Sequence, residues 1–305
     1  MLVSLVGIYV SSEFLIRGSR LSASMAGWSG EAAGAVILSL ASALPEVLTG
    51  AVSSVGGAPA LGIGTLLGST VVISTAVPSL LVLAKGDVVT KGRLSDREAV
   101  VASASNALVI GLLVSGLLVR EVGTALMLAY AAYLLLIARG EAIDQDYPPA
   151  RAGRKKAVFA LLMIVSSSLL LYASASLAVS SSLALAQDIG FSEFLVGVVV
   201  LGIGVELPEI ALSVMSSGMG EKGMALGGIL GSNTAKALLG LGLMSALGGG
   251  LSLPLSIQSV STAAFSLISP LILYMMIRTG FKLSRLDAAM LLLLYGLYLG
   301  TLFLR

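Results

Sequence analysis

Leu-Pro-Glu occurs twice within long apolar runs, in ASALPEVLTG from Ala41 and in GVELPEIALS from Gly204. A carboxylate is costly in such surroundings, and an ionisable residue inside a membrane span is a functional-site candidate by default. The proline beside each glutamate adds a second polar element. Its ring bends a helix, and it has no N–H to offer the carbonyl four residues back. Pro45 therefore loosens the turn around Ala41, and Pro208 the turn around Gly204. In lipid, freed carbonyls are tolerated only where protein packs over them or a polar cavity meets them. A carboxylate with carbonyl oxygens is a ligand set for a hard cation such as Na⁺ or Ca²⁺. Glu46 and Glu209 are thus the candidate metal ligands, with Pro45 and Pro208 as helix-bending residues. The alternative is a pair of buried, protonated acids with a purely structural role.

Further polar residues recur nearby. Glu206 precedes Glu209 by one helical turn, which puts both carboxylates on one face. Gly64 and Gly68, like Gly227 and Gly231, form small-xxx-small faces that let helix backbones approach closely. Ser69 and Thr70 follow the first pair, and Ser232 and Asn233 the second, offering neutral oxygens to the same cavity. Lys236 lies one turn after Ser232. With every group ionised, Glu46, Glu206 and Glu209 against Lys236 leave a charge of −2. One Ca²⁺, two Na⁺ or two protons would balance it. An unpaired lysine is expensive at the bilayer centre, so Lys236 needs a partner as charge-compensating residue, and Glu206 is the nearest by spacing.

The elements that hold these residues must be membrane helices. Apolar residues make up 57% of the 305-residue chain and charged residues 11%, with mean hydropathy +1.02, whereas soluble domains carry about 25% charged residues. There is no Cys and no His, which excludes disulfides, thiolate chemistry and imidazole ligands. A spanning helix needs about 20 mostly apolar residues. Breaks rich in charge, Pro or Gly divide the chain into ten such segments, near 1–17, 31–55, 59–84, 98–118, 122–138, 157–184, 194–217, 224–249, 256–277 and 284–304. The first has the length of a signal peptide but lacks a basic n-region and a small-residue cleavage site, so it reads as a retained helix. Alternating the loops across the membrane gathers nearly all basic residues on one side, including Arg151, Arg154, Lys155 and Lys156, and leaves Arg120 and Arg305 on the other. By the positive-inside rule the central loop is cytoplasmic and both termini are extracellular.

The longest polar break separates two halves of five spans. The expected division is a first repeat over 1–139, a cytoplasmic linker over 140–156 and a second repeat over 157–305. The halves align without a gap at an offset of 163 residues, which lays the Leu-Pro-Glu motifs over each other and Gly64, Gly68 and Ser69 over Gly227, Gly231 and Ser232. An odd number of spans per half makes the repeats inverted, a plan of secondary transporters with a site near the midplane. A duplication that serves only the fold is the plainer reading.

The paired motifs resemble those of the sodium/calcium exchanger superfamily, the cation/Ca²⁺ antiporters, and the resemblance spans essentially the whole chain. That family's motifs read roughly G-T-S-L-P-E and G-N-x-x-G-S-N. The resemblance implies an all-α polytopic fold of ten transmembrane helices in two inverted five-helix repeats. It makes Glu46 and Glu209 the two central cation-binding glutamates and Ser69 and Ser232 the two binding serines, with Ser42 in place of a motif threonine. It also implies that spans 1 and 6 slide across a core of spans 2, 3, 7 and 8. The chain departs from the pattern at Ala43 and Ile73, where Ser and Asn are usual, at Val205 and Glu206, which replace Thr and Ser, and at Lys236, which replaces Asn or Asp.

The expected function is antiport of Ca²⁺ against Na⁺ or H⁺ by alternating access, in a monomer that needs only lipid and inorganic cations and no further cofactor. The alternative is a divergent paralogue with another cation substrate or none, in which Glu206 and Lys236 form a structural ion pair. An intramembrane acid protease, a channel and a non-transporting scaffold fit less well. Leu-Pro-Glu does not resemble an aspartyl dyad, and one occluded site suits alternating access better than a continuous pore. Nothing suggests nucleic-acid binding.

Overall fold

The computed structural model describes residues 1–25, 39–89, 93–142, 154–210, 228–279 and 282–303, and these are almost entirely helical. In chain order the helices are α1 (Leu2–Met25), α2 (Ser39–Val55), α3 (Pro59–Lys85), α4 (Arg93–Val114), α5 (Arg120–Ala142) and α6 (Arg154–Ile189). After α6 the chain continues in a broken segment. It comprises α7 (Glu193–Val196), the π-helical turn π1 (Gly197–Leu201), α8 (Gly202–Gly204), a turn at Val205 and Glu206, and helix again over 207–210. Helix over 228–234 then leads into π2 (Ala235–Leu241) and α9 (Gly242–Gly248), followed by α10 (Ile257–Arg278) and α11 (Arg285–Leu302). Six of these helices are long and apolar enough to cross a membrane: α1, α3, α5, α6, α10 and α11. The apolar part of α4 is shorter, at 99–114, and the expected spans 31–55, 194–217 and 224–249 run partly outside the described residues. Helix also enters the expected linker from both sides, because α5 continues to Ala142 and α6 starts at Arg154. The run Tyr147-Pro148-Pro149, which reads as a loop in the sequence, lies outside the described residues.

Helix ends follow local chemistry. Pro59 starts α3 at a position where a missing N–H costs nothing, and Gly249 closes α9 in the left-handed region at φ 84°. Capping boxes of Ser256 with Ser259 and Ser284 with Asp287 open α10 and α11 by satisfying N–H groups that no helical carbonyl reaches.

α3 is the centre of the molecule, with 89% of its apolar window buried. A helix that is apolar on every side and enclosed belongs inside a bundle. Its glycines set its neighbours. A Cβ on Gly64 would strike the carbonyl of Phe194, and one on Gly68 would stand 3.0 Å from Cα of Val198. From the other side, a Cβ on Gly197 would strike the Leu61 carbonyl, and one on Gly202 would stand 3.2 Å from the Ser69 nitrogen. Residue numbers rise together along this contact, so α3 and the α7–π1–α8 segment run parallel with backbones touching. The small-xxx-small face at Gly64 and Gly68 therefore does what its spacing predicts. Gly231 is buried, and Gly227 lies outside the described residues.

α2 packs in parallel with π2 and α9. Gly50 meets Met244, Gly240 meets Val47, and the hydroxyl of Ser54 donates to the Met244 carbonyl at 2.8 Å. α1 and α6 form an antiparallel pair at the flank, where Gly7 faces Ser174 and Gly18 faces Met163 and Ile164. Among the described residues, loops pair at two places. Strand β1 (Val88–Val89) runs antiparallel to β2 (Lys282–Leu283), with Val88 opposite Leu283, and Leu118 bridges Leu251 in the same sense. Leu251 stands 163 residues after Val88 and Leu283 stands 165 after Leu118. The two contacts thus exchange nearly onto each other under the sequence offset.

Candidate cation site

Glu46 projects from α2, two turns after the helix begins and directly after Pro45. The helix continues through this proline, and the Thr49 hydroxyl donates to the Pro45 carbonyl at 2.7 Å. The second copy differs. Its helix opens into a turn at Val205 and Glu206 before resuming at Leu207, so Pro208 follows a break rather than a bend. Glu206 sits in that break and Glu209 on the resumed helix. Lys236 lies on π2, where one residue more than usual occupies a turn, a distortion found disproportionately at functional sites.

These four side chains meet. Glu46, Glu206 and Lys236 are 0%, 0% and 1% exposed, and Glu209 is 7% exposed. Carboxylate oxygens of the three glutamates all lie within 4.8 Å of one another. The Lys236 ammonium donates to Glu206 Oε1 and stands 3.3 Å from Glu46 Oε1. Both oxygens of Glu209, Oε2 of Glu46 and Oε2 of Glu206 have no hydrogen-bond partner among the described residues. Buried carboxylates in that state need either a positive charge beside them or a proton, and one ammonium balances only one of three.

The predicted neutral ligands are all buried on the elements that flank this cluster. Ser42 is 5% exposed and lies one turn before Glu46, while Ser69 and Thr70 are 0% and 2% exposed on α3. Their hydroxyl hydrogens are spent on their own helices: Ser42 donates to Ser39, and Ser69 and Thr70 both donate to Leu66, at 3.2, 3.1 and 2.8 Å. A hydroxyl held this way keeps only lone pairs for another group, which suits it to accept rather than donate. Ser232 and Asn233 are fully buried, and Ser232 Oγ and Asn233 Oδ1 have no partner among the described residues. The Asn233 amide donates to Ser74 Oγ at 2.8 Å, which holds its oxygen as the free end.

Three features escape the sequence reading. Glu46 joins Glu206 as a partner of Lys236, Ser74 orients Asn233, and Thr234 adds another buried, unpartnered hydroxyl. Ser74 and Thr234 stand beside residues the motifs single out, so adjacency was the available signal. The Glu46 contact crosses from one half to the other and has none.

Comparison with known proteins places the chain among exchangers. The sequence model of the family described as sodium/calcium exchanger protein matches residues 1–139 and 159–304. An uncharacterized membrane protein of Methanocaldococcus jannaschii is 25% identical over 301 residues, which covers 99% of this chain and 96% of its own length. The sodium/calcium exchanger MaX1 of Methanosarcina acetivorans is 31% identical over 128 residues, 41% of this chain and 35% of that protein. A solved structure of the sodium-calcium exchanger NCX_Mj, soaked with 10 mM Na⁺ and zero Ca²⁺, superposes with a TM-score of 0.72 at 23% identity and covers 100% of this chain and 97% of that one. At that identity the likeness establishes a shared fold.

Proposed function

The chain belongs to the sodium/calcium exchanger family, and on that premise we propose that it exchanges Ca²⁺ for Na⁺ or H⁺ at the cluster of Glu46, Glu206 and Glu209. The family is one of membrane antiporters rather than enzymes. The single observation that carries the proposal is the convergence of three buried carboxylates within 4.8 Å. Oxygen-only coordination by carboxylates and neutral oxygens is what a hard cation requires. In this reading Ser42, Ser69, Thr70, Ser232 and Asn233 complete the coordination, and the cation enters alternately from each side of the membrane.

The same proposal takes ten spans in two inverted repeats, 1–139 and 157–305, with the linker cytoplasmic, both termini extracellular and a monomer as the working unit. The near-exchange of the two loop pairings under the sequence offset supports the inversion. The parallel contacts of α3 with α7–π1–α8 and of α2 with π2–α9 support a four-part core with the site at its centre.

The test is thermal stability in detergent with Ca²⁺, Na⁺, Mg²⁺, K⁺ and pH varied, followed by counterflow in proteoliposomes. A ligand that binds only the folded protein raises its stability by linkage. The proposal expects Ca²⁺ to stabilise the protein and to be taken up saturably against Na⁺ or H⁺. Indifference to every cation would remove it.

The Glu206–Lys236 pair itself favours a second reading, a paralogue whose Ca²⁺ transport is altered or lost and whose ion pair is structural. In that case Lys236→Asp leaves flux absent.

A further inference from the structure

We propose that the Lys236 ammonium is a built-in monovalent cation that occupies one ion position in the transport cavity and fixes the exchange at two monovalent charges per divalent cation. This rests on the antiport reading above and specifies its stoichiometry. The observations behind it are geometric. The ammonium does not stand off to one side with a single acid, as a structural pair would. It touches Glu206 and lies 3.3 Å from Glu46, and so bridges carboxylates from the two halves of the chain. A mobile cation shared between those acids would take the same position. The ammonium is 1% exposed and tethered through π2, and so cannot leave with the cargo.

What remains is an unequal site. One pole is filled by the lysine. At the other, both oxygens of Glu209 and Oε2 of Glu46 and Glu206 are unpartnered among the described residues. With all three carboxylates ionised, the one fixed ammonium leaves −2, which one divalent cation or two monovalent cations bring to zero. Neutral complexes cross a low-dielectric barrier at least electrostatic cost. The carrier is therefore neutral in both loaded states, and its cycle moves no net charge.

The experiment is Ca²⁺ uptake into proteoliposomes at clamped membrane potentials, driven by a Na⁺ gradient or by a pH gradient. Wild-type uptake is expected to be independent of voltage, with a slope of two in monovalent cation. Lys236→Gln leaves −3 in the cavity. It is expected to require a third monovalent cation and to become voltage-dependent, shifting the steady-state Ca²⁺ ratio by about 50-fold per 100 mV for one net charge. Lys236→Arg keeps the fixed charge and is expected to remain voltage-independent. A wild-type current with three monovalent cations per Ca²⁺ overturns the inference while leaving antiport standing. A Lys236→Gln protein that transports without voltage dependence overturns it too. If Lys236→Gln does not fold, the wild-type and Lys236→Arg measurements still decide. Absence of any saturable cation counterflow in the wild type removes the antiport reading and this inference together.

Discussion

At the scale of residues, the four charged groups do different work. The carboxylate of Glu209 has no hydrogen-bond partner among the described residues, so under the proposed antiport it is the acid that depends most on the cargo cation. Glu209→Gln is expected to cost at least about tenfold in Ca²⁺ affinity, in line with the 1.5–3 kcal/mol of a contact to a charged group. The loss of Ca²⁺-dependent stabilisation in detergent would measure it. Lys236 is different because it is already engaged. Lys236→Met strands two buried carboxylates and is expected to destabilise the protein by about 3–5 kcal/mol, whereas removing a buried charge together with its partner is often close to neutral. Adding Glu206→Gln to Lys236→Met should therefore restore part of the loss. A double-mutant cycle read by thermal unfolding measures the coupling, and strict additivity would show that the pair is not an energetic unit.

At the scale of elements, glycines decide how close the helices come. Gly64 and Gly197 each face a backbone carbonyl of the opposing segment, and a backbone cannot rotate aside as a side chain can. Gly64→Val or Gly197→Val is expected to prevent a stable core, visible as loss of monodisperse protein on extraction. Gly296 has open space where a Cβ would stand, so Gly296→Ala in α11 should be tolerated, since alanine is the better helix former. Equal damage from both changes would undo the packing argument. The two copies of the Leu-Pro-Glu motif also differ at this scale. α2 runs unbroken through Pro45, while the second copy opens at Val205 and Glu206 ahead of Pro208. The extra acid lies in the opened turn. This is consistent with a side chain that must reach Lys236 rather than follow the regular helix face.

At the scale of the whole molecule, α1 and α6 form a flank against a glycine-packed core. Gly7 meets Ser174 within the flank, while Gly204 meets Leu5 across the boundary between flank and core. If the flank slides as one body, tying α1 to α6 leaves transport possible and tying α1 to the core stops it. The chain has no native cysteine, so introduced pairs are unambiguous. Cross-linking L5C/G204C is expected to abolish Ca²⁺ counterflow until the link is reduced, and cross-linking G7C/S174C is expected to leave it. Inhibition by both links would mean that α1 and α6 move separately.

Much of this was legible in the sequence. Composition determined a membrane protein, because 11% charged residues cannot cover a soluble surface of this size. The duplicated Leu-Pro-Glu and Gly-x-x-x-Gly-Ser motifs marked Glu46, Glu209, Ser69 and Ser232 as candidates, and the one-turn spacing suggested Glu206 beside Glu209, a proximity the structure keeps although Glu206 lies in the turn ahead of the resumed helix. Helical periodicity is a local property, so it says which residues share a face. It does not say what that face will meet. Only the tertiary structure brought Glu46 to within 3.3 Å of Lys236 and Ser74 to Asn233. Both contacts join the two halves of the chain. They depend on the depth at which backbones interlock at Gly64, Gly68 and Gly197, and on a π-helical turn that shifts Lys236 off the regular register.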